Sequence, residues 1–380
     1  MMTSKAIKTI FPFRWLLACG ATLLLACENM VQYIDIAPSG EEEVKLAVSA
    51  TIDTEGNFFL SFTEGRSLSA YRDRKLENDA IVRRGKVTLY DETDGRDVYV
   101  IDSSANGGFD LSLRSSGNSG YTATVAGLQL NAGHTYRLTL KIEGYPEATA
   151  VVAMPDMPII EQALPDLRQT KHYSAYLVEA FNPNTLKVRA IDCYPVALRL
   201  TDNSPERDYY MVYLQSEMRH PGRPPISGVP YVAISDIAVI QDNPDVEASG
   251  LSMDSEFDAL IFERILLSDM SFANATGAIN LLVDEDVFMQ NDGRAGEPPC
   301  DENSRSSVAT FLCVAHLTPL SYAYYRSLSL QKTGLGFFSE PVSIPSNIEN
   351  GYGCFSAISV ACKSLAEYKA CSGYYGLAGF

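Results

Sequence analysis

The chain has 380 residues, of which 46% are hydrophobic, and its 30 Lys and Arg against 47 Asp and Glu give a formal net charge of −17. That hydrophobic content supports packed cores and excludes a mainly disordered chain. The acidity argues against nucleic acid as a partner, because phosphate contacts require clustered Lys and Arg side chains.

The N-terminus has the three parts of a bacterial export signal. A basic start precedes an apolar stretch over residues 15–25, which is too short to span a bilayer. The run Leu24-Leu25-Ala26-Cys27 is typical of the site at which lipoprotein precursors are cleaved and given a diacylglyceryl thioether. A second copy ends at Cys19, where it leaves too short a hydrophobic region after Arg14. We therefore predict a signal peptide over residues 1–26 and acylation of Cys27, which would anchor the protein in a membrane.

Cleavage after residue 26 changes the charge of the mature protein. It removes three positive charges, so 27 Lys and Arg remain against 47 Asp and Glu, a net charge of −20. This charge disfavours lying flat on an anionic membrane surface. We predict an acidic tether over residues 27–43. Because the rest exceeds the usual size of one core, we expect two domains, residues 44–154 and 155–380.

Residues 44–154 show short alternating runs separated by turn residues, the pattern of β-strands. Asp94-Gly95 lies between two such runs and has the favoured chemistry of a tight hairpin. The strand spacing predicts an antiparallel sandwich of the immunoglobulin or transthyretin kind. The predicted strands are Lys45–Ile52, Phe58–Thr63, Lys86–Tyr90, Asp97–Ile101, Phe109–Leu113, Tyr121–Val125, Thr135–Glu143 and Ala148–Val152.

Residues 155–380 are predicted to form a larger β-rich domain, a barrel or a sandwich, with one short α-helix. Pro155 and Pro158 end the preceding strand and mark the boundary. Thr318 can cap the helix and Pro319 suits its first turn. The predicted strands are Pro195–Thr201, Tyr209–Gln215, Val232–Ile240, Leu260–Leu266, Ala278–Val283, Val308–Leu317 and the closing run Phe355–Cys362.

Six cysteines remain after cleavage and acylation. Disulfides are permitted, because an exported protein meets an oxidising compartment, and buried free thiols are an equal alternative. Zinc is disfavoured, since there is no Cys-x-x-Cys pair and the four histidines are scattered. The candidate disulfide cysteines are Cys193, Cys300, Cys313, Cys354, Cys362 and Cys371.

The usual signatures of catalysis are missing from the sequence. There is no Gly-x-Ser-x-Gly elbow, no His-Glu-x-x-His and no phosphate-binding loop. The acidic loop 284–302 offers oxygens for calcium, but its spacing does not match the twelve-residue calcium loop, so a solvated loop is favoured. The basic loop Arg219–Pro230 suits either a partner-docking loop or a rigid connector. We predict a protein that is not an enzyme, with no cofactor and no metal.

Two segments of the C-terminal third, TPLSYAYYRSLSLQ and FFSEPVSIPSNIENGYGCFSAISV, carry a resemblance to a known family. Their order resembles that of the Bacteroidota lipoprotein family called domain of unknown function 4249. The Cys27 region, the segment VTLYDETDG and the segment AVVAMPDMP look similar too, so the resemblance covers nearly all of the mature chain. The positions that match the family's motif are Tyr322, Tyr324, Tyr325, Pro341, Asn347, Asn350, Gly351, Gly353 and Phe355.

The resemblance implies a location and a partner. Members of the family look like outer-membrane lipoproteins whose genes accompany SusC-like TonB-dependent transporters. We therefore expect an outer-membrane lipoprotein that serves as an accessory or substrate-binding partner of such a transporter. The acidic residues after Cys27, Glu28 and Glu41-Glu42-Glu43, favour the cell surface and leave the inner leaflet as the alternative. The alternatives are a structural or adhesive surface lipoprotein and, next, a hydrolase of peptide or glycan. The chain departs from the family's pattern in its cysteine-rich closing segment.

Overall fold

The computed structural model describes residues 44–65, 82–103, 107–111, 120–169, 171–178, 186–219, 226–228, 232–234, 260–262, 264–269, 274–284, 287–288, 305–333 and 344–371. These ranges are mostly β-strand, as predicted, with one helix among them, α1 (Pro319–Thr333). Within them, no helix is both long and apolar enough to cross a bilayer.

The strands, in chain order, are β1 (Lys45–Asp53), β2 (Phe58–Gly65), β3 (Val82–Arg83), β4 (Gly85–Asp91), β5 (Arg96–Asp102), β6 (Phe109–Asp110), β7 (Tyr121–Val125), β8 (Thr135–Ile142), β9 (Ala148–Ala153), β10 (Ile159–Pro165), β11 (Lys171–Val178), β12 (Leu186–Thr201), β13 (Tyr209–Arg219), β14 (Ile226–Gly228), β15 (Val232–Ile234), β16 (Leu260–Phe262), β17 (Arg264–Ser268), β18 (Thr276–Asp284), β19 (Arg305–Leu317) and β20 (Gly351–Cys371).

The largest sheet, here called the central sheet, has the strand order β14-β13-β19-β20-β1-β2-β7, and β17 also pairs with β13. Its neighbours are antiparallel except for β1 and β20, which run parallel, with Ala50 opposite Phe355. The first and last strands of the described part are therefore hydrogen-bonded partners. The N-terminal region differs in this one pair from the purely antiparallel sandwich that we predicted.

The N-terminal sandwich packs one half of the central sheet against a four-stranded sheet of order β5-β4-β8-β9. Alternate residues of each strand point into its core, as the period of two in the sequence requires. In β1 they include Leu46, Val48 and Ile52, each at most 2% exposed, and in β8 they include Leu138 and Leu140.

The C-terminal sandwich packs the other half of the central sheet against a six-stranded sheet of order β10-β12-β18-β15-β16, in which β11 also pairs with β12. Its core contains Leu198 of β12, Val212 of β13, Leu281 of β18 and Val314 of β19, all fully buried. The β-rich domain predicted for this region is thus built as a sandwich.

Helix α1 covers the outer face of the central sheet. Thr318 caps it as predicted, since its Oγ1 accepts the N–H of Ser321 at 3.1 Å. Tyr322 packs against the ring of Tyr209 at a centroid distance of 4.5 Å and joins a small core with Leu317. The helix therefore belongs to the sheet's packing.

The predicted boundary between residues 154 and 155 falls just after β9. Strands from both sides of it nevertheless share the central sheet, and Ile348 and Phe355 complete the N-terminal core. The described residues all belong to one compact unit, Val44–Phe380. The two sandwiches therefore have separate cores and a common sheet.

Candidate functional site

A group of three aspartates lies at one end of the C-terminal sandwich. Asp202 follows β12, Asp208 precedes β13, and Asp269 follows β17. Asp202 is 3% exposed and Asp269 is 1% exposed. Buried acids are rare without a partner, so we treat these three residues, called the aspartate group below, as the candidate functional site.

Strand pairing brings the aspartate group together. Tyr209 of β13 lies opposite Ser268 of β17, which places Asp208 beside Asp269, and the N–H of Asp269 donates to the carbonyl of Asp208 at 3.1 Å. Asp202 arrives from a third strand, β12. The group is therefore assembled from segments far apart in sequence.

Asp202 fixes the backbone around the group. Its Oδ1 accepts the N–H of Ser204 at 3.0 Å, and its Oδ2 accepts the N–H of Asn274 at 2.7 Å. Its own N–H donates to the carbonyl of Ala275 at 3.0 Å. Asn274 has a φ of 54°, a left-handed conformation that Asn tolerates better than most residues. The carboxylate of Asp202 thus ties the turn after β12 to the segment before β18.

His316 of β19 borders the group. Its Nδ1 donates to the carbonyl of Asp156 at 2.9 Å, because a carbonyl can only accept, and its Nε2 lies 3.5 Å from Oδ1 of Asp208. Its ring lies over the ring of Tyr210 at 5.1 Å. Both ring nitrogens are therefore engaged within the protein.

Burial dominates the electrostatics of the group. It raises the pKa of Asp208, an effect that the charge of His316 partly opposes and that Asp202 reinforces. Burial likewise raises the pKa of Asp269, with Asp202 again adding to the effect. The same three acids, after burial, raise the pKa of Tyr210. Burial and the neighbouring acids therefore disfavour the charged forms of Asp208 and Asp269.

One oxygen of the group has no hydrogen-bond donor. Oδ2 of Asp269 is the one buried side-chain oxygen or nitrogen without a partner that the described residues contain. A buried ionised oxygen without a donor costs free energy, whereas a protonated carboxyl beside a carboxylate does not leave its oxygen unsatisfied. Chemically, this arrangement can hold a proton.

A second group, Asp91, Asp94 and His134, has ligand atoms that all lie within 4.8 Å of one another. Its members are occupied by local hydrogen bonds: Oδ1 of Asp91 accepts the N–H groups of Thr93 and Asp94, and Oδ2 lies 3.0 Å from Nδ1 of His134. These bonds close the predicted Asp94-Gly95 hairpin, where Gly95 has a φ of 69°. We assign the group a role in closing the hairpin.

The motif predicted from the resemblance has a structural explanation in residues 346–355, which we call the clasp. The side chain of Asn347 pairs with the backbone of Phe355 through two hydrogen bonds of 2.9 Å, as a neighbouring strand would. Glu349 exchanges two backbone hydrogen bonds with Thr149 of β9, at 3.2 and 2.7 Å. The clasp thus bridges the two sheets of the N-terminal sandwich.

Three further clasp residues fit their positions by size and backbone conformation. Asn350 has a φ of 57° and donates from Nδ2 to the carbonyl of Glu147 at 3.1 Å. Gly353 has a φ of 104°, and a Cβ there would lie 1.9 Å from the carbonyl oxygen of Val48. Gly351 would likewise place a Cβ 2.9 Å from the carbonyl oxygen of Leu46. These residues allow β20 to lie directly against β1.

The tyrosines of the motif attach α1 to the sheet. The hydroxyls of Tyr324 and Tyr325 lie 3.4 Å from those of Ser49 and Thr51 on β1, respectively. Tyr322 is 6% exposed. In the described residues, the motif therefore serves packing between elements.

The candidate disulfide cysteines have different environments. Cys313 and Cys362 lie opposite each other on β19 and β20 and are joined by a disulfide, beneath α1. Cys354 is a buried free thiol, and burial raises its pKa to about 12, which suppresses thiolate reactivity. Cys193 is buried.

Several predicted residues lie outside the described residues. They are Cys27 with the signal peptide and tether (residues 1–43), Pro341, Cys300, the side chain of Cys371, residues 285–286 and 289–302 of the acidic loop, and residues 220–225 and 229–230 of the basic loop.

A family model described as domain of unknown function 4249 matches residues 33–364, which include both sandwiches, α1 and the clasp. The chain belongs to this family. In this member of the family, the clasp joins the two sheets of the N-terminal sandwich, and the tyrosines attach α1 to the central sheet. A comparison with curated proteins finds no match.

Sequence reasoning missed the aspartate group and His316. The residues after β12 are Asp202-Asn203-Ser204-Pro205, which are of types that favour a turn. Asp202 takes part in this turn, because its Oδ1 accepts the N–H of Ser204. Nothing in the local sequence links this turn to Asp269, because their proximity depends on the pairing of β13 with β17.

Proposed function

We propose that this protein is a non-catalytic, lipid-anchored lipoprotein of the outer membrane, displayed at the cell surface, that acts as an accessory or substrate-binding partner of a SusC-like TonB-dependent transporter. The observation that carries the proposal is the run Leu24-Leu25-Ala26-Cys27 at the end of a basic and apolar leader. The compact unit that contains both sandwiches begins at Val44, so the predicted tether of 17 residues, 27–43, lies in sequence between this unit and the predicted cleavage site.

The state of His316 supports a role without catalysis. His316 is engaged at both ring nitrogens within the protein. A general base must reach a substrate proton, and this side chain is occupied by the protein instead. A binding protein needs a surface that fits its ligand or partner, and it needs no catalytic side chain.

A segment with several exposed apolar side chains supports a protein partner. Ten large hydrophobic residues of the described part are exposed, and four of them lie within residues 157–167. These four, the apolar strip, are 45–55% exposed: Met157, Ile159, Leu164 and Leu167. Clustered exposed apolar side chains mark interaction sites more often than scattered ones do. We assign the apolar strip to contact with the transporter.

Co-purification tests the proposal. The full-length protein is extracted from native membranes in a mild detergent, and the proteins that accompany it are identified by mass spectrometry. We expect a large outer-membrane transporter barrel to accompany the wild type. The double variant Leu164→Ser/Leu167→Ser should lose the barrel while remaining in the membrane fraction, because its acylation site is intact.

Val100→Ser is the matched control, since Val100 is 39% exposed on β5, in the other sandwich. This variant should retain the barrel. Recovery of the wild type without a barrel, or as homopolymers, would contradict the proposal, and the second result would favour an adhesive or structural lipoprotein.

A further inference from the structure

We propose that the outer face of the central sheet, in the half that belongs to the N-terminal sandwich, binds a neutral oligosaccharide. The site consists of outward-facing side chains of β1, β2 and β7 together with the ring of Tyr352 on β20. Helix α1 lies against β13, β19 and β20 and borders this part of the sheet. The inference goes beyond the proposed function, and it depends neither on the transporter nor on the apolar strip.

A row of three hydroxyl groups, called the hydroxyl row below, crosses this face. Ser49 of β1 lies opposite Ser61 of β2, and Ser61 lies opposite Thr122 of β7. Residues directly opposite each other on antiparallel strands share one face, and neighbouring strands lie about 4.8 Å apart. Leu60 and Phe62 occupy the core side of β2, each 1% exposed, so the hydroxyl row points outwards.

An exposed aromatic ring lies on either side of the hydroxyl row. Phe59 is 46% exposed and lies two residues before the row on β2. Tyr352 is 51% exposed and pairs with Ala47, which lies two residues before the row on β1. Because β1 and β2 are antiparallel, the two rings lie on opposite sides of the row.

Small residues beneath the ring of Tyr352 make room for it on the sheet. A Cβ at Gly65 of β2 would lie 2.9 Å from Cδ2 of Tyr352 and 3.3 Å from Cβ of Ala47. The ring therefore reaches across β1 to β2. Gly65 lies six positions after Phe59, which is roughly 20 Å at about 3.3 Å per residue. A ligand that contacts both rings must therefore be an extended chain.

The chemistry of these groups suits a chain of sugars. The hydroxyls of Ser and Thr both donate and accept hydrogen bonds, as the hydroxyls of a sugar do. The C–H groups on one face of a pyranose ring carry a slight positive charge, which the negative face of an aromatic ring attracts. The hydroxyl row between two rings can therefore bind the hydroxyls of an oligosaccharide whose outer sugars stack on Phe59 and Tyr352.

The lack of charge on this face argues for a neutral ligand. The outward-facing side chains of residues 47–51, 59–63 and 122–124 are all uncharged. An anionic sugar chain would meet no positive side chain in these segments, and the net charge of −17 would repel it. The polar surface between the rings also differs from the apolar core of a protein interface.

Isothermal titration calorimetry of the full-length protein, in a detergent without a sugar headgroup, tests the site. The probes are maltohexaose, cellohexaose, xylohexaose and mannohexaose. We expect at least one of them to bind. The double variant Phe59→Ala/Tyr352→Ala should weaken that binding by about tenfold, which is the typical value of two aromatic contacts. Gly65→Ala should weaken it as well, because the added Cβ displaces the ring of Tyr352.

Val151→Ala is the matched control, since Val151 is 50% exposed on β9, in the other sheet of the same sandwich. This variant should bind like the wild type. The double variant should keep the circular dichroism spectrum of the wild type, because both of its side chains are exposed. It should also still co-purify with the transporter barrel, so failure of this inference is distinguishable from failure of the proposed function.

Three results would overturn the proposal. The first is a wild type that binds none of the four hexasaccharides, and the second is binding that the double variant leaves unchanged. The third is tighter binding of hexagalacturonate, an acidic sugar chain, than of the neutral probes. Sedimentation velocity covers the remaining occupant: a wild-type dimer that dissociates in the double variant would show that a second copy of the chain, and not a sugar, occupies this face.

Discussion

In the N-terminal sandwich the buried carboxylate of Asp91 receives a donor on each oxygen, whereas in the C-terminal sandwich the buried Asp269 has an oxygen that no donor from the described residues reaches. Burial alone would raise the pKa of Asp91, but the hydrogen bonds from His134 and from the backbone of Asp94 and Thr93 together lower it. Burial beside Asp202 raises the pKa of Asp269. The difference teaches that hydrogen-bond donors, and not depth alone, decide whether the pKa of a buried acid is raised or lowered.

The two sandwiches also differ in how they are closed. The N-terminal core is completed by the clasp from the far end of the described chain, while the C-terminal core is formed by residues 160–314 with partial cover from β20. Strand β20 contributes to both cores. A substitution in the part of β20 that belongs to the clasp should therefore destabilise mainly the N-terminal sandwich.

The largest effect is expected from Phe355→Ala. Phe355 is fully buried in the N-terminal core, and loss of its ring should lower the free energy of unfolding by about 3–5 kcal/mol. Urea denaturation followed by circular dichroism measures the change. Tyr352→Ala is the control: Tyr352 is 51% exposed on the same strand and should cost less than about 0.5 kcal/mol. Equal losses for the two variants would show that the clasp does not close this core.

The next effect concerns the half of the central sheet under α1. Reduction of the Cys313–Cys362 disulfide, which spans 49 residues of sequence, should cost roughly 2–4 kcal/mol. Denaturation with and without reductant measures it, with Cys354→Ala as a thiol control that leaves the bond intact. A stability that is unchanged by reductant would mean that the two strands are held by packing alone.

The smallest of the three effects sharpens the electrostatic comparison. Asp91→Asn keeps an oxygen for the backbone donors but loses the charge that faces His134, so it should cost roughly 1.5–3 kcal/mol at pH 6. Because the folded pKa of Asp91 is lowered, its contribution is present above 3.8 and is lost as the pH falls through the folded pKa. The difference between variant and wild type should therefore shrink in acid.

Stability curves of the two proteins from pH 6 to pH 2 measure this trend. A difference that grew in acid would contradict the account of Asp91. The same curves for Asp269→Asn should show the opposite trend, because the pKa of Asp269 is raised and its contribution to stability falls as the pH rises.

Much of the N-terminal sandwich could be predicted from sequence, because its strands are half-buried and alternate with a period of two. The predicted Thr135–Glu143 and Ala148–Val152, for example, differ from β8 and β9 by a single residue at one end. The family resemblance is likewise confirmed, since its motif lies in consecutive, distinctive segments.

The C-terminal sandwich was harder to predict, for physical reasons. Strand β12 was predicted as Pro195–Thr201 only. It begins at Leu186, and Pro195 lies where one edge of β12 changes partner from β11 to β10. Strand β10 was missed because a bulge between Ile160 and Gln162 interrupts its alternation. Strand β20 was predicted as Phe355–Cys362 only, because its two ends are not apolar runs.

Mass spectrometry of the N-terminal peptide of the protein, extracted from native membranes, tests the lipid anchor most directly. We predict that the mature chain begins at Cys27 and that this residue carries a diacylglyceryl group and an acyl chain. An unmodified Cys27, or a mature N-terminus at any other residue, would contradict the account.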